Sequence, residues 1–153
     1  MTYYEALSGC DLGVFPSYYE PWGYTPLESA AYCVPTITTD QAGFGLWVEQ
    51  KTKGSSGVIV LPRKQKPVAV IEDNLYKTLE NFLSWTDGEM LERRKMARYI
   101  AEQANWQDFF DAYRQSYDLA LAATKERQAN QAVSEENKRV FAGAVSTQPH
   151  FRS

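Results

Sequence analysis

Apolar positions fall in two spacings along this chain. Short runs without polar interruption alternate with longer stretches in which apolar residues recur every three or four positions. Tyr3 to Gly9 predicts a short helix closed by Gly9. Leu12 to Phe15 is apolar throughout, the pattern of a strand covered on both faces. Pro26 to about Tyr32 predicts a second helix, and the β-branched Pro35-Thr36-Ile37-Thr38-Thr39 a second strand. Gly57 to Pro62 predicts a third strand, stopped by its proline. Strand, helix and strand within about thirty residues predict a right-handed βαβ unit. The fold class is therefore α/β, a parallel sheet with flanking helices.

The second half changes to helical spacing. Val70, Ile71, Leu75, Leu79, Phe82 and Leu83 predict an amphipathic helix from Val68 to Trp85. After a loop at Thr86-Asp87-Gly88, a further helix is expected from about Glu89 to Ala104. A last helix is expected from Trp106 to about Ala123, with Asn105 as its N-cap. Between the elements, Asp40 to Gly45 reads as a loop and Leu46 to Lys51 as one added helical turn. Lys51 to Gly57 reads as an exposed turn, and Arg63-Lys64-Gln65-Lys66 as a solvated connection. Arg93, Arg94, Lys95 and Arg98 read as a solvated basic face. Residues 125–153 are polar and lose the periodicity. They are expected to be helical at first and then disordered, so the domain is placed at 1–124 with 125–153 as a tail.

Composition narrows the function classes. The 153 residues suffice for one domain with a real core, and 44% hydrophobic with 23% charged residues is ordinary for a globular chain. The net charge of -3 supplies no basic patch for nucleic acid. No apolar run approaches the ~20 residues of a membrane span, and Met1-Thr2-Tyr3-Tyr4-Glu5 lacks the pattern of a signal peptide. Cys10 and Cys33 lack metal-ligand spacing and read as buried free thiols of a cytoplasmic protein. His150 is the only histidine, which excludes a Ser-His-Asp triad, a Cys-His pair and a His-based zinc site within the chain. No metal and no cofactor are expected.

The chemistry concentrates between the first strand and the second helix, in Ser17-Tyr18-Tyr19-Glu20-Pro21-Trp22-Gly23-Tyr24-Thr25-Pro26-Leu27-Glu28. Ligands of open α/β sheets bind at the carboxyl ends of strands, where this segment lies. Thr25, Pro26 and Glu28 match a capping box with proline at the first helical position. Open amides at such a helix start, with Gly23 leaving room, make a site for phosphate or diphosphate. Glu20 and Glu28 would repel phosphate but accept hydrogen bonds from sugar hydroxyls, so a nucleotide sugar fits. Plainer roles remain open: Glu28 as the cap alone, Glu20 as a solvated loop residue, the aromatics as a cover for the sheet end. Two carboxylates also suit glycoside hydrolysis by residue type.

The segment from Gly9 to Pro26 closely resembles the donor-site segment of eukaryotic-type glycogen synthases. The likeness continues through Val34 to Asp40 and Gly43-Phe44-Gly45, weakens over 85–121, and is absent in the tail. Those are retaining glucosyltransferases of the two-domain GT-B fold. The resemblance implies a Rossmann-like sheet, part of the C-terminal, nucleotide-sugar-binding domain. It implies transfer of glucose from UDP-glucose to the end of an α-1,4-glucan, with no metal. Glu20 would be the catalytic-site residue, holding hydroxyls of the donor glucose. Glu28 would hold the ribose, the backbone of Gly23, Tyr24 and Thr25 would meet the diphosphate and sugar, and Tyr3 would stack on uracil. Tyr3 could equally be a helix-start aromatic on the core. The family's N-terminal domain, acceptor cleft and phosphate-binding Arg and Lys lie outside the match, so the chain alone is expected to be inactive. The basic residues at 93–98 depart from the family's arginine cluster, which puts glucose 6-phosphate regulation in doubt. Homo-oligomer formation is left open. A non-catalytic module binding nucleotide or glucan is the alternative.

Overall fold

A computed structural model describes residues 2–52 and 57–145, with 136, 137 and 139–145 described by their backbone. Contacts divide the chain into a unit of residues 1–105 and a unit of residues 106–153.

The first unit holds three parallel strands in the order β1 (Gly13–Val14), β2 (Thr36–Thr39), β3 (Val58–Leu61). Gly13 pairs with Thr36, and Thr36 to Thr39 pair with Val58 to Leu61 in register. Helix α2 (Tyr24–Ala31) connects β1 to β2, and α3 (Gly43–Thr52) connects β2 to β3. Helices α1 (Tyr3–Ser8), α4 (Val68–Leu83) and α5 (Asp87–Gln103) complete the unit, with α5 packed on α2 and β3.

Strand β2 is buried along its whole length, as a central strand covered on both faces should be. Its buried hydroxyls need partners. Thr36 Oγ1 donates to the Val34 carbonyl and shares a bond with Ser29 Oγ, each at 2.9 Å. Strand β1 departs from the expected double cover: it is an edge strand of the described sheet, and Val14 is exposed. Ala30 of α2, Phe44 and Val48 of α3, Val58 of β3 and Ala97 and Ile100 of α5 form the core. Trp22, Leu27 and Trp47 pack against it. The core thus draws one face of each helix to the sheet and leaves the carboxyl ends of the strands open for loops.

Several boundaries differ from the sequence pattern, two of them widely. Helix α3 begins at Gly43, inside the expected loop, and runs for 10 residues rather than one turn. In the second unit, α6 (Trp106–Val145) passes Ala123. Residues 125–142 contain many Ala, Gln, Glu, Lys and Arg and no glycine or proline, so backbone propensity sustains the helix where apolar periodicity fades. Of the exposed turn expected at 51–57, Lys51 and Thr52 instead end α3 and Gly57 is buried, while 53–56 lie outside the described residues, as do the last residues of the tail, 146–153 with His150.

Candidate functional site

The carboxyl end of β1 continues into a loop stitched to the loop after β2. Glu20 N–H donates to the Gln41 carbonyl (3.0 Å), Gly43 N–H to Glu20 (3.1 Å) and Phe44 N–H to Trp22 (2.6 Å). Glu20 and Ala42 form an isolated parallel bridge. Thr39 Oγ1 donates to the Ser17 carbonyl (2.9 Å), tying the segment to β2 from its other end. The two loops lie side by side, as their positions in the chain predict. Their contact requires glycine at 43, because any Cβ there would run into the Pro21 carbonyl. Trp22 goes inward, edge-on to Phe44 and Trp47. Tyr18, Tyr19 and Tyr24 instead remain 73%, 78% and 67% exposed. Of the four aromatics in the segment, only Trp22 covers the sheet end by packing into the core.

The start of α2 is not the capping box that Thr25 and Glu28 suggest. Gly23 is the N-cap, at φ 108° and ψ 68°, and no side chain caps the helix. This left-handed geometry is open to glycine and strained for other residues, and it moves the helix start two residues upstream. Thr25 then lies second in the helix and Pro26 third, where its missing N–H costs nothing. The Leu27 N–H reaches the Gly23 carbonyl (3.3 Å). The Tyr24 and Thr25 amides donate to no acceptor among the described residues. Open amides and the positive end of the helix dipole therefore coincide at the carboxyl edge of the sheet.

Freed from capping, the half-buried Glu28 makes no side-chain hydrogen bond among the described residues. Its charge is felt at Tyr3. Slight burial first, then Glu28, then Tyr4 hold the Tyr3 hydroxyl above its ordinary pKa of 10.0. Tyr3 is 51% exposed and lies edge-on to Tyr4, which stacks on Tyr32 of the loop after α2. Tyr3 is thus no core residue.

Glu20, Thr25 and Tyr19 line one open cleft of about 580 Å³ with Val14, Phe15, Pro16 and Ser17. The Ser17 hydroxyl donates to the Glu20 carboxylate (3.2 Å). That carboxylate lies against Gly23: a Cβ built on Gly23 would stand 3.4 Å from Glu20 Oε2. The fold therefore gathers Glu20, Gly23 and Thr25, and separately sets Tyr3 near Glu28. Tyr3 and Glu28 do not line the cleft itself. Among the described residues, no group of three or more His, Cys, Asp or Glu could hold a metal ion. No described helix is long and apolar enough to cross a membrane.

Arg63, Arg93 and Arg94 are less solvated than expected, whereas Lys95 and Arg98 stay exposed. Arg63 is not solvated: it is only 9% exposed, donates to the Pro16 carbonyl (3.3 Å), and lies under the Tyr18 ring at 3.4 Å from its centroid. Asp40 accepts from the backbone N–H groups of Arg63 and Lys64, which holds this turn against the sheet edge. The signal for Arg63 was its position right after Pro62, at the carboxyl end of a strand. The basic residues of α5 are also engaged. Arg94 donates to the Cys33 and Cys10 carbonyls and pairs with Asp11 (2.7 Å). Arg98 donates to the Ala31 carbonyl (2.7 Å), and Arg93 stacks on Trp85. Arg94 and Arg98 serve the carboxyl end of α2, where the helix dipole favours them. The cysteines are free thiols, but Cys10 is exposed and Cys33 half-buried.

A family model described as glycogen synthase matches residues 1–152. The chain is similar to glycogen [starch] synthase isoform 2 of Saccharomyces cerevisiae, 33% identical over 140 residues, covering 89% of this chain and 20% of that protein. It is 31% identical over 124 residues to the liver glycogen [starch] synthase of Homo sapiens, covering 80% of this chain and 18% of that protein. The chain spans about a fifth of the length of these curated relatives.

Proposed function

The chain belongs to the glycogen synthase family, and from that premise we propose that it is the donor-binding part of a retaining glucosyltransferase. The full reaction moves glucose from UDP-glucose to the non-reducing end of an α-1,4-glucan. The carrying observation is the start of α2, where the Tyr24 and Thr25 amides stand open beside Glu20 and behind the left-handed Gly23.

Each residue takes a role its chemistry allows. The open amides and the helix dipole accept the diphosphate, and Gly23 lets its oxygens approach the backbone. Glu28 accepts hydrogen bonds from the ribose hydroxyls, and the exposed Tyr3 ring beside it stacks on uracil. Glu20, oriented by the Ser17 hydroxyl, accepts from hydroxyls of the donor glucose at the reacting end. Turnover depends on the rest of a family-length protein, since a GT-B cleft forms between two domains.

Calorimetric titration of UDP into this chain and into its Glu28→Ala variant tests the reading. The wild-type chain is expected to bind, and the variant to bind roughly tenfold or more weakly, the worth of a hydrogen bond to a charged group. Helicity and thermal stability should not change, because Glu28 caps nothing. Equal affinity in the two folded proteins would sink the proposed role of Glu28. No binding by the wild-type chain would sink the donor-site reading of the chain itself.

A further inference from the structure

Three exposed regions of the first unit stand out among those without a role. The first is a depression on α5 lined by Cys33, Leu91, Arg94, Arg98 and Tyr99, whose two arginines are already committed to carbonyls and carboxylates. The second is the pair Cys10 and Cys33, whose carbonyls share one guanidinium while Cys10 Sγ points back to the Ala6 carbonyl. The third, the exposed tyrosines Tyr18 and Tyr19, the second of which lines the Glu20 cleft, carries an inference.

Tyr18 and Tyr19 directly precede Glu20 and are among the most exposed aromatics of the first unit. Large exposed rings are usually loose. Tyr18 is not: the Arg63 guanidinium lies 3.4 Å below its ring centroid and is itself nine-tenths buried. Among the described residues Arg63 forms no ion pair; its side chain has the Pro16 carbonyl and the Tyr18 ring. A buried cation with so few partners holds its ring firmly. The backbone on both sides is fixed as well, by Thr39 to Ser17 and by Glu20 to Gln41. The outer surface of Tyr18 is thus left to solvent on a segment that cannot move freely. Tyr19, 78% exposed, lines the open cleft with Glu20. Rigid aromatic surface beside hydroxyl acceptors is a setting in which a neutral sugar ring can lay its C–H face. Glu20 disfavours an acidic ligand there, and the tyrosine hydroxyls interrupt any apolar groove for a hydrophobic helix.

We propose that Tyr18 and Tyr19 form a stacking platform for glucose units of the acceptor α-1,4-glucan, with Arg63 as the positioning residue that clamps Tyr18. The assignment rests on the donor-site reading, because the platform adjoins the carboxylate assigned to the donor glucose. It adds the direction from which the acceptor arrives, past Tyr18 toward Glu20.

The test titrates maltoheptaose, a soluble α-1,4 oligosaccharide, into the chain by ligand-observed NMR, with a β-1,4 oligosaccharide of similar length as control. The wild-type chain is expected to bind maltoheptaose and not the control. Tyr18→Ala and Tyr19→Ala should each weaken binding roughly two- to tenfold, the range for one aromatic contact. Tyr18→Phe, which keeps the ring, should bind like wild type. Arg63→Met should weaken maltoheptaose binding while leaving UDP affinity unchanged, a split that general loss of structure would not produce. A chain that binds UDP but not maltoheptaose overturns the platform and leaves the donor reading standing. A folded Tyr18→Ala variant with unchanged glucan affinity overturns it too. Glucan binding without UDP binding keeps the platform and removes the donor site. Binding of neither removes both.

Discussion

Helices α2 and α5 start in opposite ways. At α5, Thr86 Oγ1 accepts from the Glu89 N–H (3.3 Å), and the Glu89 carboxylate accepts in return from the Thr86 N–H (2.8 Å). That capping box satisfies its own orphan donors, and α1 repeats it with Thr2 and Glu5. At α2 the threonine, proline and glutamate of a capping box are all present, yet Gly23 starts the helix upstream and leaves them uncapped. A closed start needs nothing further and stabilises its helix by itself. An open start leaves amides for which a bound anion would be the natural acceptor. The same residue types thus support the fold in one place and a ligand site in the other, and one glycine makes the difference.

The contrast breaks most completely at Gly43. Its neighbour across the loops is the Pro21 backbone, which cannot swing away like a side chain. Gly43→Ala is expected to separate the two loops and lower stability by about 3 kcal/mol or more, on the scale of severe backbone and packing defects. UDP binding should disappear with it. Urea unfolding and calorimetry on the same preparation measure both effects. Wild-type stability would show that the loops are not held as described.

Gly23→Ala tests the open start more narrowly. Alanine at φ 108° costs about 1–3 kcal/mol, or forces the start of α2 back toward Thr25. In the second case Thr25 and Glu28 could close the capping box that the native geometry refuses. The expected result is loss of UDP affinity beyond what the loss of stability explains. A variant that keeps both would mean the left-handed cap has no part in binding.

Much of this was legible in the residues. The β-branched run at 36–39, the apolar run at 58–61 and the periodicity of 68–83 depend on neighbours close in sequence, and they form where the pattern places them. The side-by-side loops and the cleft at Glu20 followed from strand order. What was hidden depends on distant partners. Arg63 is buried because the Pro16 carbonyl and the Tyr18 ring, more than forty positions earlier, lie over it. Arg94 partly leaves solvent for the carbonyls of Cys10 and Cys33, and the exposed Arg98 reaches that of Ala31. The false capping box at Thr25 shows a different limit. A local motif states which bonds could form, and a backbone conformation two residues away decides whether they do. Gly43 carried the same ambiguity, since a glycine needed for close approach looks like a glycine in a loop.

The smallest effect sharpens the comparison from the closed side. Thr86→Ala removes the side-chain cap of α5 and should cost about 1 kcal/mol, the usual worth of such a cap. UDP affinity should stay at its wild-type value, because α5 meets the ligand site nowhere in the proposal. The pH dependence gives the cap a signature. The Thr86 backbone bond first, then its hydroxyl, and last Arg93 hold the Glu89 carboxyl below its ordinary pKa of 4.5. A lowered folded-state pKa means that the unfolded chain binds this proton more readily. The contribution is therefore complete above the ordinary value and lost as pH falls through the lower folded one. Wild type and Glu89→Gln should differ in stability at neutral pH and converge on acidification, as read by thermal melts from pH 7 downward. If Glu89→Gln stayed as far below wild type in acid as at neutral pH, the self-capped start of α5 would lose its part in the comparison.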